Sequence, residues 1–363
     1  MWPFLIFIFV LSILIIIHEF GHFIVAKRLG VKVERFSLGF GTKLFSQKKN
    51  DTEYLVCAIP LGGYVKLAGD TPEEYKGKPF EYLFKTPGER AKILVSGALL
   101  NYIAGFLCLW VVFFLGYPTL TSRVGATLEG FGAQEAGIIK DDKIIAVDGK
   151  NTEYWEQLQK IIHTKKAGEV VKLSILRNNT VYNKDVKIKE ETLPGILGEK
   201  KSVGLIGIQP SGEIIKIKHG VRQSFFLSIN KLFDLTVITY KAIWRIVSGR
   251  LSMRESMTGP LGIFYITTKA AELGFIAIIH LMAVLNVSLA IFNLLPIPIL
   301  DGGHIFLLVI EKIKGRRFSE KIDKLITQVG LTLIVLLAIF VFYNDLVKYG
   351  IFEKISKIIS HTR

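Results

Sequence analysis

Only two cysteines occur in the 363 residues, Cys57 and Cys108, and neither stands in a Cys-x-x-Cys pair. That excludes a cysteine-built zinc site and a disulfide framework. Cys108 sits inside an apolar run and reads as a small packing residue. No recognisable DNA- or RNA-binding module accompanies the formal charge of +15, so nucleic acid is not expected as a partner. No lysine or arginine precedes Lys27. The first apolar run therefore lacks the basic start of a signal peptide, and no small-x-small cleavage site follows it. Formal charge is almost missing there too: Glu19 is the only charged side chain between Trp2 and Ala26.

Apolar sequence is what the chain has in quantity. Half of it is hydrophobic and the mean hydropathy is +0.41, values that point to membrane spans. Four stretches approach the length of about 20 residues that a crossing needs: Trp2 to Ala26, Ile93 towards Pro118, Phe275 to Leu300, and Leu325 to Tyr343. Thirteen lysines and arginines lie between Lys27 and Lys92, and six between Glu311 and Lys324. Both loops are expected on the cytoplasmic side, with the N-terminus, the long middle region and the C-terminus outside.

Between the first two spans, Tyr54 to Leu67 is rich in β-branched and aromatic residues around Pro60 and Gly62-Gly63, which predicts a hairpin or bent sheet. After the second span, Gly130 to Ile138 ends in Ala136-Gly137, and Asp141 to Lys150 carries Val147-Asp148-Gly149. A helix from Tyr154 to His163 and strands at Glu169–Arg177 and Thr180–Ile188 are expected to follow. This order resembles a bacterial PDZ domain, with Asp141 where that family usually has glycine. Such a domain binds an extended peptide by strand addition. From Gln223 to Ser248, Lys231, Asp234, Lys241 and Arg245 share one helical stripe against an apolar remainder, the pattern of an interfacial amphipathic helix or, less readily, of a fifth crossing that would put the C-terminus on the other side. The expected fold class is a multi-pass α-helical membrane protein with about four transmembrane helices, a membrane-associated β element and an inserted extracytoplasmic PDZ-like α+β domain. The expected division is 1–118 for the N-terminal membrane part, 119–212 for the PDZ-like domain, 213–272 for an amphipathic linker region, and 273–363 for the C-terminal membrane part.

The chemistry-bearing residues lie within the spans. His18 and His22, four apart, share a helix face and can reach one ion, and Glu19 is placed to meet its water. Zinc is the usual metal for His-Glu-x-x-His. Ionisable groups near a bilayer centre cost at least ~2.5 kcal/mol and mark function. A catalytic zinc takes three protein ligands. The third is sought at Asn293 to His304, where Pro296 and Pro298 must unwind the third span. Asp301, expected in a flexible setting before Gly302-Gly303, is the best candidate, and His304 is its rival. His163, His219, His280 and His361 have no partner spacing.

These motifs together resemble the site-2 protease family of intramembrane zinc metalloproteases, and most closely the regulator-of-sigma-E type. The likeness runs through His18–His22, Ala58–Val65, Gly97–Tyr102, the PDZ-like region, Ser256–Ile263 and Asn293–His304. It implies His18, His22 and Asp301 as ligands of Zn2+ and Glu19 as catalytic base. It also implies Asn293 as a contact to substrate or oxyanion, a task suited to an amide donor. The segment around Gly62, Gly63 and Tyr64 would be a strand that holds unwound substrate. Gly97, Asn101, Pro296, Pro298, Gly302 and Gly303 are motif residues of structural rank. The chain departs from the family in lacking a proline after Gly97, in having Ser288 where some members have asparagine, and in having one PDZ-like unit rather than two. The implied activity is hydrolysis of peptide bonds in or near the spans of single-span membrane proteins. Anti-sigma factors and remnant signal peptides are the expected substrates, after trimming by an upstream site-1 protease. The lipid bilayer and a bacterial inner-membrane location follow, with the active site towards the cytoplasm. A zinc-stabilised scaffold without catalysis, and a zinc protease with its site in water, are the competing readings.

Overall fold

The computed structural model describes residues 2–195, 199–315 and 319–350. Arg316 and Arg317 of the basic 311–324 loop, and His361, lie outside the described residues. Two compact units form: Met1–Val112 with Ser224–Trp244 and Ser252–Arg363, and Phe113–Gln223 with Arg245–Leu251.

The first unit begins with α1 (Trp2–Arg28). This helix has no proline after its second residue and stops after Lys27 and Arg28, where Gly30 adopts a φ of 68°, as helix ends commonly do. Next come β1 (Val33–Lys49) and β2 (Thr52–Leu67). They fold over each other more than a simple hairpin would. Residues 33–38 face 63–67 on one side, with Phe36 opposite Val65 and Leu38 opposite Gly63. On the other side Arg35 lies opposite Glu53 and Leu38 opposite Val56, while Phe45 also pairs with Val56. Bends at Gly39 and Gly41, both with φ near 90°, permit this doubling. Residues 63–67 are left as an edge.

Pro87 opens α2 (Pro87–Leu115), where a missing N–H costs nothing. Its start is a reciprocal capping box: Glu89 Oε2 accepts from the Thr86 N–H at 2.9 Å and Thr86 Oγ1 accepts from the Glu89 N–H at 3.3 Å. The helix ends at Leu115, short of the expected Pro118, because Gly116 turns the backbone at φ 115° and residue 118 belongs to a strand.

In the second unit β3 (Tyr117–Leu120), β4 (Val124–Thr127), the one-turn α3 (Gly132–Glu135), β5 (Lys143–Val147), β6 (Lys150–Asn151), α4 (Trp155–Ile162), β7 (Val170–Arg177), β8 (Thr180–Lys187), β9 (Lys189–Pro194), β10 (Lys200–Leu205), β11 (Ile208–Pro210) and β12 (Ile214–Ile217) follow in order. A four-stranded sheet runs β6-β5-β7-β8, and β3–β12, β4–β11 and β9–β10 form separate pairs. Alternation puts Val171, Leu173 and Ile175 in the core against Trp155, Leu158 and Ile162 of α4.

The chain continues with α5 (Val221–Val247), which meets α2 through Thr236 and Tyr102, whose hydroxyls are 2.8 Å apart. Then come the one-turn α6 (Met253–Ser256), α7 (Pro260–Leu273), α8 (Phe275–Asn293), α9 (Asp301–Lys314) and α10 (Glu320–Lys348). The α8 helix stops at Asn293, before the expected Leu300, because Pro296 and Pro298 cannot donate to helical bonds. Among the described residues, four helices are long and apolar enough to cross a membrane: Trp2–Arg28, Pro87–Leu115, Phe275–Asn293 and the Lys324–Lys348 part of α10. On α10, Leu325, Val329, Leu333, Leu336 and Ile339 are exposed, a face suited to hydrocarbon rather than water.

Candidate metal centre

Helix α1 sets His18 and His22 one turn apart with their rings edge to face. From α9, Asp301 reaches both. Its Oδ2 lies 3.1 Å from His18 Nε2 and 3.5 Å from His22 Nε2, and the two Nε2 atoms are 3.2 Å apart. Among the described residues these three form the one grouping of possible metal ligands. Asp301 is not in a flexible setting, as expected from its glycines; it is the first residue of α9. The glycines serve close approach instead. A Cβ at Gly302 would strike the Leu294 carbonyl, and one at Gly303 the Ile297 carbonyl. Pro296 and Pro298 hold the intervening bend, against which Gly330 of α10 packs. At Ile299 the backbone takes φ 80°, a costly conformation for a β-branched residue.

Does this arrangement suit a zinc ion? Zinc bonds of about 2.0–2.1 Å in a tetrahedral shell place neighbouring ligand atoms roughly 3.3–3.4 Å apart. The observed sides of 3.1, 3.2 and 3.5 Å bracket that length. Asp301 Oδ2 is buried with no aligned hydrogen-bond donor, so an anionic oxygen faces two imidazole nitrogens with no proton assigned between them. A cation satisfies all three. The donor set of two histidines and one carboxylate is one that zinc accepts, with a position left for water.

The outer partners are also in place. His22 Nδ1 donates to the Ile93 carbonyl of α2 at 2.8 Å, which leaves Nε2 free as the ligand atom. Helix α2 can come this close because Gly97 has no side chain: a Cβ there would lie 2.5 Å from His22 Nε2 and 2.8 Å from His18 Cε1. Gly21 similarly abuts the Ser96 carbonyl. Asn101 is fully buried and presents its amide to His18 Nδ1 at 3.4 Å. The Asn293 amide nitrogen lies 3.3 Å from both nitrogens of the same ring. Reading the sequence alone gave Asn101 and Gly97 no specific partner. Their i, i+4 spacing with Ile93 was the available signal.

Glu19 lines a cavity of about 640 Å³ together with the triad, Asn293, Val65 and Leu67. Its carboxylate accepts from the Val65 backbone N–H, so the 63–67 edge runs beside it. A Cβ on Gly63 would lie 3.7 Å from Glu19 Cγ. Gly62, at φ 135°, sits against the Phe40 ring, and Tyr64 stacks on that ring with centroids 6.1 Å apart. His304 also lines the cavity but stands outside the triad. Arg90 and Glu311 lie farther along the wall, paired at 2.5 Å. Burial pushes the Tyr82 phenol of the same wall above its usual range, so it stays protonated.

Comparisons with known proteins show the family. Residues 6–337 match the profile of Peptidase family M50. The chain is 28% identical to the regulator of sigma-E protease RseP of Escherichia coli K12, over 95% of this chain and 98% of that protein. It is 31% identical to Cj1068 of Campylobacter jejuni, provisionally named a zinc metalloprotease, over 93% and 92% of the two chains. Among solved structures, the PDZ domain of an SdrC-like protein of Listeria innocua aligns with 26% of this chain at 22% identity and a TM-score of 0.21. The match across nearly the whole length makes this chain a member of peptidase family M50, the site-2 protease family, and a zinc metalloprotease.

Proposed function

We propose that this protein hydrolyses peptide bonds in or near the membrane spans of single-span proteins, with His18, His22 and Asp301 holding the zinc and Glu19 as the general base. The carrying observation is the placement of the triad and Glu19 on and against an apolar helix of spanning length, beside the strand edge whose Val65 N–H reaches Glu19. The competing scaffold reading would need a closed ligand shell, and among the described residues no fourth ligand joins the three.

Zinc bound there would supply Lewis acidity, making a water acidic enough to act as nucleophile near neutral pH. The protein supplies the rest. Glu19 takes the proton of the attacking water and passes it to the departing amine. The Asn293 amide would donate to the carbonyl oxygen as it gains charge. The Gly62-Gly63-Tyr64 edge can pair with a substrate stretch that has left its helix. That step is needed because a helical carbonyl is already hydrogen-bonded and shielded by side chains.

In this reading residues 1–118 and 273–363 form the protease core. Residues 119–212 form an extracytoplasmic PDZ-like gate that admits substrates shortened by an upstream protease. The site faces the cytoplasmic side of a bacterial inner membrane, and anti-sigma factors or remnant signal peptides are the substrate classes. Quantitative membrane proteomics of cells carrying Glu19→Gln tests it. Truncated single-span proteins should accumulate relative to wild type, and an unchanged membrane proteome would count against this substrate class.

A further inference from the structure

His18 turns Nε2 towards Asp301 and His22; with Nε2 as the zinc ligand, the ring's remaining proton would sit on Nδ1. That N–H is buried and needs an acceptor. Two carboxamides are within reach. The Asn293 nitrogen is 3.3 Å from both ring nitrogens, and a point equidistant from the two lies off the line of the Nδ1–H bond. Asn101 approaches Nδ1 alone, at 3.4 Å. With its NH2 end towards the ring, donor would face donor, while its Oδ1 has no hydrogen-bond partner among the described residues. The two ends of a carboxamide have the same shape, and exchanging them removes both faults at once: Oδ1 accepts from Nδ1–H.

We infer that Asn101 is a positioning residue whose carboxamide oxygen accepts the His18 Nδ1 proton and fixes the tautomer that offers Nε2 to zinc. Ile93, Gly97 and Asn101 then act as one stripe of α2 at i, i+4 and i+8. The Ile93 carbonyl orients His22, Gly97 leaves room for both rings, and Asn101 orients His18. Histidine ligands elsewhere receive such partners from carboxylates, carbonyls or water; here both come from one neighbouring helix.

The inference rests on the metal-site reading, and the test separates the two. Zinc affinity is measured by chelator competition on the full-length protein in detergent, for wild type, Asn101→Leu and Asn101→Asp. Leucine keeps the volume and loses the acceptor; aspartate keeps the acceptor. Loss of an outer partner typically weakens metal binding about 10–100-fold. That loss is expected for Asn101→Leu at unchanged apo-protein melting, with Asn101→Asp within a few-fold of wild type. Equal affinity of Asn101→Leu and wild type, or equal loss in both variants, overturns the inference. A wild type that binds no zinc overturns the metal-site reading instead. Should Asn101→Leu not fold, nitrogen NMR of ¹⁵N-histidine in zinc-loaded wild type decides: a hydrogen-bonded Nδ1–H on His18 supports the inference, and metal on Nδ1 overturns it.

Discussion

Replacing Gly97 by alanine adds one methyl group where two imidazoles already lie. The new carbon would meet His22 Nε2 at 2.5 Å, His22 Cε1 at 2.6 Å and His18 Cε1 at 2.8 Å, against an ordinary contact distance of 3.4 Å or more. The rings, or the helix, must therefore yield by 0.6 to 0.9 Å (3.4 less 2.8 and 3.4 less 2.5). Overpacking of this kind costs about 1–3 kcal/mol. The displaced atoms are the proposed metal ligands, so the cost should fall on the zinc-bound state. At 1.4 kcal/mol per decade, zinc affinity should fall roughly 10–100-fold. The assay is competition with a zinc-chelating dye on purified protein, alongside cleavage of a single-span test substrate. Gly88→Ala is the control, since that glycine lies in the same helix with nothing within 4 Å of its added carbon. Wild-type zinc affinity in Gly97→Ala would refute the claim that this glycine makes room for the ligand pair.

Three further outcomes follow from other parts of the molecule. In the second unit, burial pushes Asp142 up, but Arg177, at 2.7 Å, and the Ile139 N–H outweigh it and hold the carboxyl below its usual value. A lowered folded value means that this stabilisation is whole above the unfolded pKa of about 3.9 and is lost as pH falls through the folded one. Arg177→Met should therefore destabilise that unit at neutral pH and do so less in acid, read by hydrogen exchange of β5 and β7 amides. Asp345 of α10 accepts from the Gly259 and Gly262 N–H groups at 3.1 and 3.0 Å, capping α7. Asp345→Ala should cost about 1–2 kcal/mol, seen as a lower melting temperature with zinc content unchanged. Chelation should abolish proteolysis, and added zinc should restore it, whereas a chelator-resistant activity would argue against metal chemistry.

The long apolar runs were legible because composition alone marks them, and the His-Glu-x-x-His spacing was legible because helical geometry gives i, i+4 residues one face. Segment ends were less so. Pro118 was read as the end of a span because apolarity continues past Leu115, but Gly116 turns the chain into a strand. The strand Val33–Lys49 was not expected, since Gly39 and Gly41 interrupt its alternation. Its doubling over β2 depends on pairings distant in sequence. The pair Gly302-Gly303 suggested flexibility because a sequence does not display neighbours; in the fold the pair lets α9 rest against the Leu294 and Ile297 carbonyls. Asn101 was visible as a motif position, but a partner 83 residues away is a tertiary fact.

Whether Glu19 moves protons beside a zinc held by His18, His22 and Asp301 is tested most directly by Glu19→Gln, purified with zinc and reconstituted in vesicles with a single-span substrate. The variant should hold one zinc per chain, as in wild type, and lose cleavage by a factor of at least about 10². Cleavage at the wild-type rate with zinc in place would contradict that role.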